Sequence, residues 1–301
     1  MSVDEFIYRQ TLSATTMVRT LQTFLSVLLL SATTTAPGAP AVAPEPLILA
    51  VHPYLPPAEI ITRFTPLAEY LARAVGRPVA VRVGPNTGQH IEAVGRNAVD
   101  IAYIGPYAYV RMVSAHGKKP LLARVAFKGK LSLSSYIVTR TDSPFQTLSD
   151  LRGKRFAFGD PDAIMSTLMP RYALLKAGVH LDALGMYRYI GSQANIALGV
   201  LNDDFDAGAV REEFFDEFGA RGLRILARLP EVPVHLFVTR SDMPVAQVKV
   251  LREALLQLQN APDGAAILRA IGQDMTAMLP VTDADYDGMR KVLRAIDDER
   301  G

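Results

Sequence analysis

The amino-acid sequence predicts an α/β protein of two lobes, each a mainly parallel sheet flanked by helices, with two strands as the hinge. From Leu47 onward, short apolar runs alternate with amphipathic stretches, a pattern typical of parallel sheets in α/β folds. Two β-rich runs, "SSYIVTR" (134–140) and "VHLFVTR" (234–240), resemble each other, and each is followed by Thr or Ser, Asp, one residue and Pro. After 244 the chain reads as almost entirely helical.

The first lobe begins with "LILAV" (47–51), a continuous apolar run that predicts a buried strand. "FTPLAEYLARAVG" predicts a helix with Thr65 as N-cap, Pro66 at the first helical position and Gly76 at the end. The elements predicted after it are a strand over 79–83, a helix over about 88–96 and a strand over 99–105.

The second lobe is predicted between the two similar β-rich runs. The segments there are "KRFAFGDPD", a helix from about Asp162 to Ala177, "MYRYIGS", a helix from about Gln193, and "FDAGAV". The C-terminal helices are predicted over 244–259, 262–272 and 283–298.

The two similar runs are interpreted as strands that cross between the lobes. Lobe 1 is then predicted over 44–138 and 236–301, and lobe 2 over 139–235. A two-strand connection makes a hinge, and ligands of such folds bind in the crevice at the carboxyl ends of the strands. The alternative is two unrelated strands with similar capped turns, because Ser, Thr or Asp before Pro commonly opens a helix.

Composition excludes several classes of function. Of the 301 residues, 49% are hydrophobic and 21% charged, and the formal net charge is only +2, so the chain has no strong field for nucleic acid or anionic membranes. There is no cysteine, which excludes disulfides, thiolate zinc sites, cysteine nucleophiles and a lipid anchor on cysteine.

The N-terminal 43 residues are interpreted as a signal peptide and processed segment. Arg19 precedes the apolar run Leu21–Ala32, and small and Pro-rich residues follow, ending in Ala41-Val42-Ala43. A basic flank, a short apolar stretch and a small-x-small ending are typical of a secretory signal. Because the acidic opening "MSVDEF" fits this pattern poorly, the start is either Met1 or Met17. The mature protein, from residue 44, is expected in the periplasm.

No catalytic or metal-binding set is found in the sequence. The chain has no GxGxxG, P-loop or GxSxG motif, and its five histidines lack the spacing of a metal site. We therefore expect no enzyme activity, no cofactor and no metal. Each histidine is interpreted as a surface or singly bonded residue, although His52 and His90 follow predicted strand ends and are candidates for the cleft.

Four segments together resemble a known family. "FTPLAEYLARAVGRPV", "VDIAYIGPYAYV", "YIVTRTDSPFQTLSDLRGKRFAFGDPD" and "FDAGAV" occur in this order between about Leu47 and Leu258. The chain resembles the PhnD-like periplasmic solute-binding proteins of phosphonate, phosphite and phosphate ABC importers. The resemblance implies a two-lobed type II binding protein, a monomer that closes on a small ligand and delivers it to an inner-membrane permease. The alternative partner is a membrane histidine kinase, for which the same fold serves as ligand sensor.

The family's ligand-holding residues are replaced here. Its phosphoryl-binding Ser-Thr-Ser falls at Ala163, Ile164 and Met165, two of its tyrosines fall at Thr87 and Ile104, and a histidine falls at Gln193. Three hydrogen bonds to a charged ligand contribute about 1.5–3 kcal/mol each. Their loss would remove most of the binding free energy of roughly 8 kcal/mol that corresponds to a micromolar affinity.

The replacements predict an apolar or amphipathic, lipid-like ligand, with a sterol as one candidate. The alternatives are a phosphonate, phosphite or phosphate held by backbone N–H groups at the helix start, or a helix start whose Ile164 and Met165 simply pack into the core.

Tyrosines and two charged residues complete the predicted cleft. The tyrosines near predicted strand ends are Tyr54, Tyr103, Tyr107, Tyr109 and Tyr136, and aromatic walls with a few polar anchors are typical of pockets for organic ligands. Arg211 and Glu212 follow the predicted strand "FDAGAV" and are candidates for contact with a polar ligand group. The alternative for these two charges is a solvated helix start.

Overall fold

The computed structural model describes residues 44–300, so the predicted signal segment lies outside the described part of the chain. The α-helices within this range are α1 Pro57–Val75, α2 Thr87–Gly95, α3 Pro106–His116, α4 Met169–Lys176, α5 Gln193–Leu201, α6 Glu212–Phe218, α7 Val245–Gln257, α8 Gly264–Ile271 and α9 Asp287–Arg300. The predicted alternation of strands and helices is confirmed.

A six-stranded sheet holds the first half of the fold. Its strands are β1 Leu47–Val51, β2 Val79–Val83, β3 Ile101–Ile104, β4 Leu121–Phe127, β12 Leu236–Thr239 and β13 Met275–Leu279, in the order β13-β4-β12-β3-β1-β2. The strands β1, β2 and β3 are parallel, whereas β12 pairs antiparallel with β3 and β4. The carboxyl ends of β1 to β3 therefore meet the beginning of β12 at one edge.

A five-stranded sheet holds the second half. Its strands are β6 Ser135–Arg140, β7 Arg155–Phe158, β8 Met186–Tyr189, β9 Ala207–Arg211 and β10 Leu223–Arg228, in the order β10-β6-β9-β7-β8. Its strands β9, β7 and β8, which lie next to one another and end at the β8 edge, are parallel. The carboxylate of Asp206, just before β9, accepts the backbone N–H of Arg155 at 2.7 Å and thereby joins β9 to β7.

The chain passes between the sheets at a short ribbon. The strands β5, Ser132–Leu133, and β11, Val232–Pro233, pair antiparallel and belong to neither large sheet. Residues 134–140 were predicted to cross between the lobes, but β6 lies entirely in the second sheet. A boundary between 138 and 139 would cut β6, because β6 pairs with β9 and β10 along its length. We therefore place the crossing at the β5–β11 ribbon.

Helix α1 begins earlier than predicted. It starts at Pro57 and contains Pro66 in its interior, and the Thr65 hydroxyl donates to the carbonyl of Ile61 at 2.7 Å rather than capping an N-terminus. Pro57 supplies an equally good helix start, and the buried stripe that faces the sheet already includes Ile60. The continuous stripe outweighs the hydrogen bond that Pro66 removes.

The C-terminal segment contains a strand that was not predicted. Residues Met275–Leu279 form β13 at the edge of the first sheet, paired with β4. The last helix, α9, packs against both α3 and α4, and its Met289, Val292, Leu293 and Ile296 share one hydrophobic cluster with Phe156 and Phe158 of the second sheet. The C-terminal helix therefore contacts both halves of the fold.

Candidate ligand-binding cleft

A cavity of about 310 Å³ lies where the two sheets face each other. The first half contributes residues that follow β1, β2 and β3 and the residue that precedes β12, while the second half contributes two residues after β7. The lining residues are His52, Thr87, Gly88, Ile91, Gly105, Pro106, Tyr107, Ala108, Asp162, Ile164 and His235. This is the edge at which open α/β sheets bind ligands.

Two hydrogen-bonded histidines form part of its floor. The Nε2 atoms of His52 and His235 are 2.9 Å apart, so one ring donates and the other accepts. Burial, followed by the neighbouring His235 and His90, lowers the pKa of His52 to about 2, and burial lowers the pKa of His235 to about 4. Both rings are neutral near pH 7 and offer hydrogen bonds without charge.

Aromatic rings support this pair from both sides. Tyr103 is 3% exposed, and its ring centroid lies 5.0 Å from that of His235 at an interplanar angle of 13°. Tyr54 is exposed at the rim and stacks on His52 with centroids 4.9 Å apart. These contacts fix the orientation of both imidazoles.

A third histidine lies beside the pair. His90 is 1% exposed, its Nε2 has no hydrogen-bond partner among the described residues, and its ring centroid lies 6.3 Å from that of His52. Burial lowers the pKa of His90 to about 4, although a hydrogen bond with the Tyr103 backbone opposes the shift. His90 does not line the cavity.

The second wall comes from the turn after β7. Ala163 is the N-cap of a π-helical turn, Ile164–Leu168, which leads directly into α4. Ile164 lines the cavity, whereas Met165 is 8% exposed and packs in the core cluster. The three positions therefore have different roles: Ala163 is the N-cap of the turn, Ile164 lines the cavity and Met165 packs in the core.

Of the residues predicted or named as candidates for the cleft, four line the cavity: His52, Thr87, Tyr107 and Ile164. Ile104 is fully buried in the core cluster and does not line it. Tyr109 is also buried, and its hydroxyl donates to the carboxylate of Asp283 at 2.8 Å.

The two charged residues predicted for the second half lie around a neighbouring pocket of about 810 Å³, which shares His235 with the cavity. Arg211 and Glu212 line it. The Glu212 carboxylate accepts hydrogen bonds from Lys130 Nζ at 2.6 Å and from the Tyr136 hydroxyl at 3.0 Å, and these bonds, led by that of Lys130, lower the pKa of Glu212.

Gln193 has a structural contact. Its side-chain oxygen accepts the backbone N–H of Arg211 at 2.6 Å, so it ties the start of α5 to the end of β9. Neither Gln193 nor Tyr136 lines either pocket.

Two titratable lining residues, His235 and Asp162, were not predicted for the cleft. His235 was interpreted as a surface or singly bonded histidine, and its signal was a polar residue in the apolar run "VPVHLFV". Asp162 was read only as the approximate start of a helix. Its position beside the altered Ala163-Ile164-Met165 was the available signal.

Neither a metal site nor a membrane span is found in residues 44–300. No group of three or more His, Asp or Glu residues there is arranged to hold a metal ion. None of the helices in this range is long and apolar enough to cross a membrane.

The chain is similar to proteins of known family. Residues 49–286 match the family described as "ABC transporter, phosphonate, periplasmic substrate-binding protein". The chain is 26% identical over 275 residues to the "Phosphate-import protein PhnD" of Mycolicibacterium smegmatis, which covers 83% of this chain and 85% of that protein.

Two solved structures show the same fold. XAC2383 from Xanthomonas citri, bound to chloride ion, has a TM-score of 0.69 and 23% identity, covering 84% of this chain and 98% of that one. PhnD1 from Prochlorococcus marinus, in complex with methylphosphonate, has a TM-score of 0.64 and 18% identity, covering 83% and 98% of the two chains. At these identities the likeness concerns the fold.

Proposed function

Because the chain belongs to the family of phosphonate periplasmic substrate-binding proteins of ABC transporters, we propose that its cleft binds a small organic ligand that is not a phosphonate. The protein is the periplasmic substrate-binding component of an ABC importer and not an enzyme. The observation that carries the proposal is the apolar side chain of Ile164 in the cavity wall, at a position where the family resemblance leads us to expect a hydroxyl.

The charges around the cavity support this proposal. No lysine or arginine is among its lining residues, and both lining histidines are neutral near pH 7. A buried anion without paired charges or several hydrogen bonds costs several kcal/mol. The side chains therefore offer little to a phosphonate, and the apolar residues Ile91, Pro106 and Ala108 suit an apolar ligand surface.

The size of the cavity favours a small ligand over a sterol. A cavity of about 150 Å³ accepts one benzene, so 310 Å³ accommodates roughly two such rings. A tetracyclic sterol would have to extend into the neighbouring pocket, whose lining is largely polar and charged. We propose an amphipathic molecule with a compact apolar part.

Thermal unfolding with two ligand panels tests the proposal. The first panel is phosphate, phosphite and methylphosphonate, and the second is small apolar and amphipathic metabolites. A ligand at 100 times its Kd adds about 2.7 kcal/mol of stability, which raises the Tm of a chain of this size by several degrees. We expect a shift with the second panel only.

Retained phosphate or phosphonate binding is the competing function. Its support is the family itself, including the relative from Mycolicibacterium smegmatis whose name is phosphate import, together with the backbone N–H groups at the helix start after Ala163. A shift with the first panel would favour it. No specific feature of the described residues favours a sensor-kinase role.

A triple variant tests the turn itself. Replacing Ala163, Ile164 and Met165 by Ser, Thr and Ser should create affinity for methylphosphonate if this turn excludes it from the wild-type cleft. Because Met165 packs in the core, the single variant Ile164→Thr serves as the less disruptive comparison. Unchanged phosphonate affinity in both variants would mean that the turn does not discriminate.

A further inference from the structure

We propose that Asp162 makes this cavity a site for a small organic cation, an amine or methylated ammonium with an apolar body. This inference rests on the proposed function and names the ligand class. Its basis is the juxtaposition of one carboxylate with an otherwise uncharged cavity wall.

Asp162 is the acidic residue of the cavity lining, and no lysine or arginine accompanies it there. The carboxylate makes no hydrogen bond or ion pair with any residue in the described part of the chain. Other acids near the cleft differ: Glu212 is paired with Lys130 at 2.6 Å, and Glu213 lies 3.5 Å from Arg211. Asp162 is exposed to solvent in this structure. A ligand that fills the cavity would remove water from its carboxylate, and a charge desolvated in this way requires a counter-ion.

A purely structural role in the helix start would explain an acid here without any ligand. That role is weakened by the local geometry, because the N-cap is Ala163, no side chain caps this turn, and the first turn holds no acid. The helix dipole offsets part of the negative charge. The carboxylate oxygens nevertheless remain available as hydrogen-bond acceptors.

The rest of the lining suits the apolar body of such a cation. Ile91 and Pro106 lie on the first-half wall, Ile164 lies beside Asp162, and the aromatic rings of His52 and Tyr107 complete the lining. Aromatic rings attract cations, and a neutral imidazole pair leaves the charge on the ligand unopposed. The cavity thus combines one counter-charge with an apolar enclosure.

Matched ligands that differ in charge but not in shape test this inference. Choline is compared with 3,3-dimethylbutan-1-ol, and isoamylamine with isoamyl alcohol, by thermal shift and calorimetry of the purified protein, with methylphosphonate alongside. We expect at least one cation to bind about 10-fold or more tightly than its neutral partner, since a hydrogen bond to a charged group is worth that much.

Variants assign the preference to this carboxylate. Asp162→Asn should reduce the affinity for the cation about 10-fold or more while leaving the affinity of its neutral partner unchanged. Asp162→Glu should restore part of the loss. Asp204→Asn, an exposed carboxylate remote from the cavity lining, is the matched control and should bind as the wild type.

The outcomes separate the two proposals. If neither cation binds more tightly than its neutral partner, or if Asp162→Asn retains the difference, the cation inference is overturned while a neutral organic ligand remains consistent with the proposed function. If methylphosphonate binds more tightly than every other compound, both are overturned. A lower Tm of Asp162→Asn with unchanged cation affinity would assign Asp162 a structural role and overturn the inference.

Discussion

Removing the carboxylate of Glu299 should strongly destabilise the protein. Glu299 lies near the end of α9, and its Oε2 is 2.9 Å from the Nη2 of Arg171 in α4. The two side chains are only 13% and 6% exposed, and the Nε of Arg171 has no other partner within the described residues. In Glu299→Gln the guanidinium stays buried without its counter-ion.

The magnitude follows from burial. Breaking a buried ion pair by removing one partner costs about 3–5 kcal/mol, and we take the lower end because Glu299 lies in the last turn of its helix. At 2–4 °C per kcal/mol for a chain of this size, the Tm should fall by about 6–12 °C. The cost arises mainly from the unpaired charge of Arg171 and not from a lost attraction.

Circular dichroism melting and urea unfolding measure the change. Asp298→Asn is the matched control, because Asp298 is exposed on the same helix and surface substitutions change stability by about 0.5 kcal/mol or less. The double variant Arg171→Met/Glu299→Met should recover most of the loss, since apolar residues replace buried pairs well. A Tm of Glu299→Gln within about 1 °C of the control would refute the buried pair.

Three further predictions concern the cleft and its supports. Burial lowers the pKa of His90 from 6.5 to about 4, so the unfolded chain binds the additional proton between these values. The contribution of His90 to stability is fully present above pH 6.5 and falls by roughly 1.4 kcal/mol per pH unit as the pH drops toward 4. Because the lowered pKa values of His52 and His235 add slopes of the same sign, His90→Gln should reduce the slope in urea titrations by about 1.4 kcal/mol per pH unit without abolishing it. Gly159→Ala should lower the free energy of unfolding by about 1–3 kcal/mol, because the added Cβ would lie 2.1 Å from the Oγ of Ser166. Ser166→Gly in the same chain should relieve the clash, and an undiminished Tm of Gly159→Ala would exclude this close approach. Glu212→Gln should lower the free energy of unfolding by less than about 1 kcal/mol, since its partner Lys130 is largely exposed. A larger decrease on urea unfolding would show that the pair is buried in solution.

Local sequence patterns predicted most of the fold. Apolar runs located β1 and β2 because burial of a strand leaves a signal within a few residues. The start of α1 was placed nine residues late, at Pro66 in place of Pro57, since two Pro-based starts were equally good locally and only packing against the sheet selected the earlier one. Strand β13 was missed because its edge position leaves two of its five residues partly buried and one exposed, which weakens the apolar run.

The candidate site was predicted in part. The family resemblance predicts that Ala163, Ile164 and Met165 replace hydroxyl residues, which would place a change of chemistry at one turn, and this stays a prediction. The sequence could not show which of these three residues faces the cavity, because a π-helical turn, and not a regular helix, follows Ala163. Only Ile164 reaches the cavity.

By itself, then, the sequence determined an α/β fold with two lobes and the family to which the chain belongs, because strand–helix alternation and family motifs are local properties. The tertiary structure decided which residues meet. His52 and His235 are 183 positions apart yet share a hydrogen bond, and Asp162 lines one cavity with Thr87. Contacts between residues so far apart in sequence depend on the order of the strands and on where the chain crosses between the sheets at the β5–β11 ribbon. No short segment of the sequence encodes either feature.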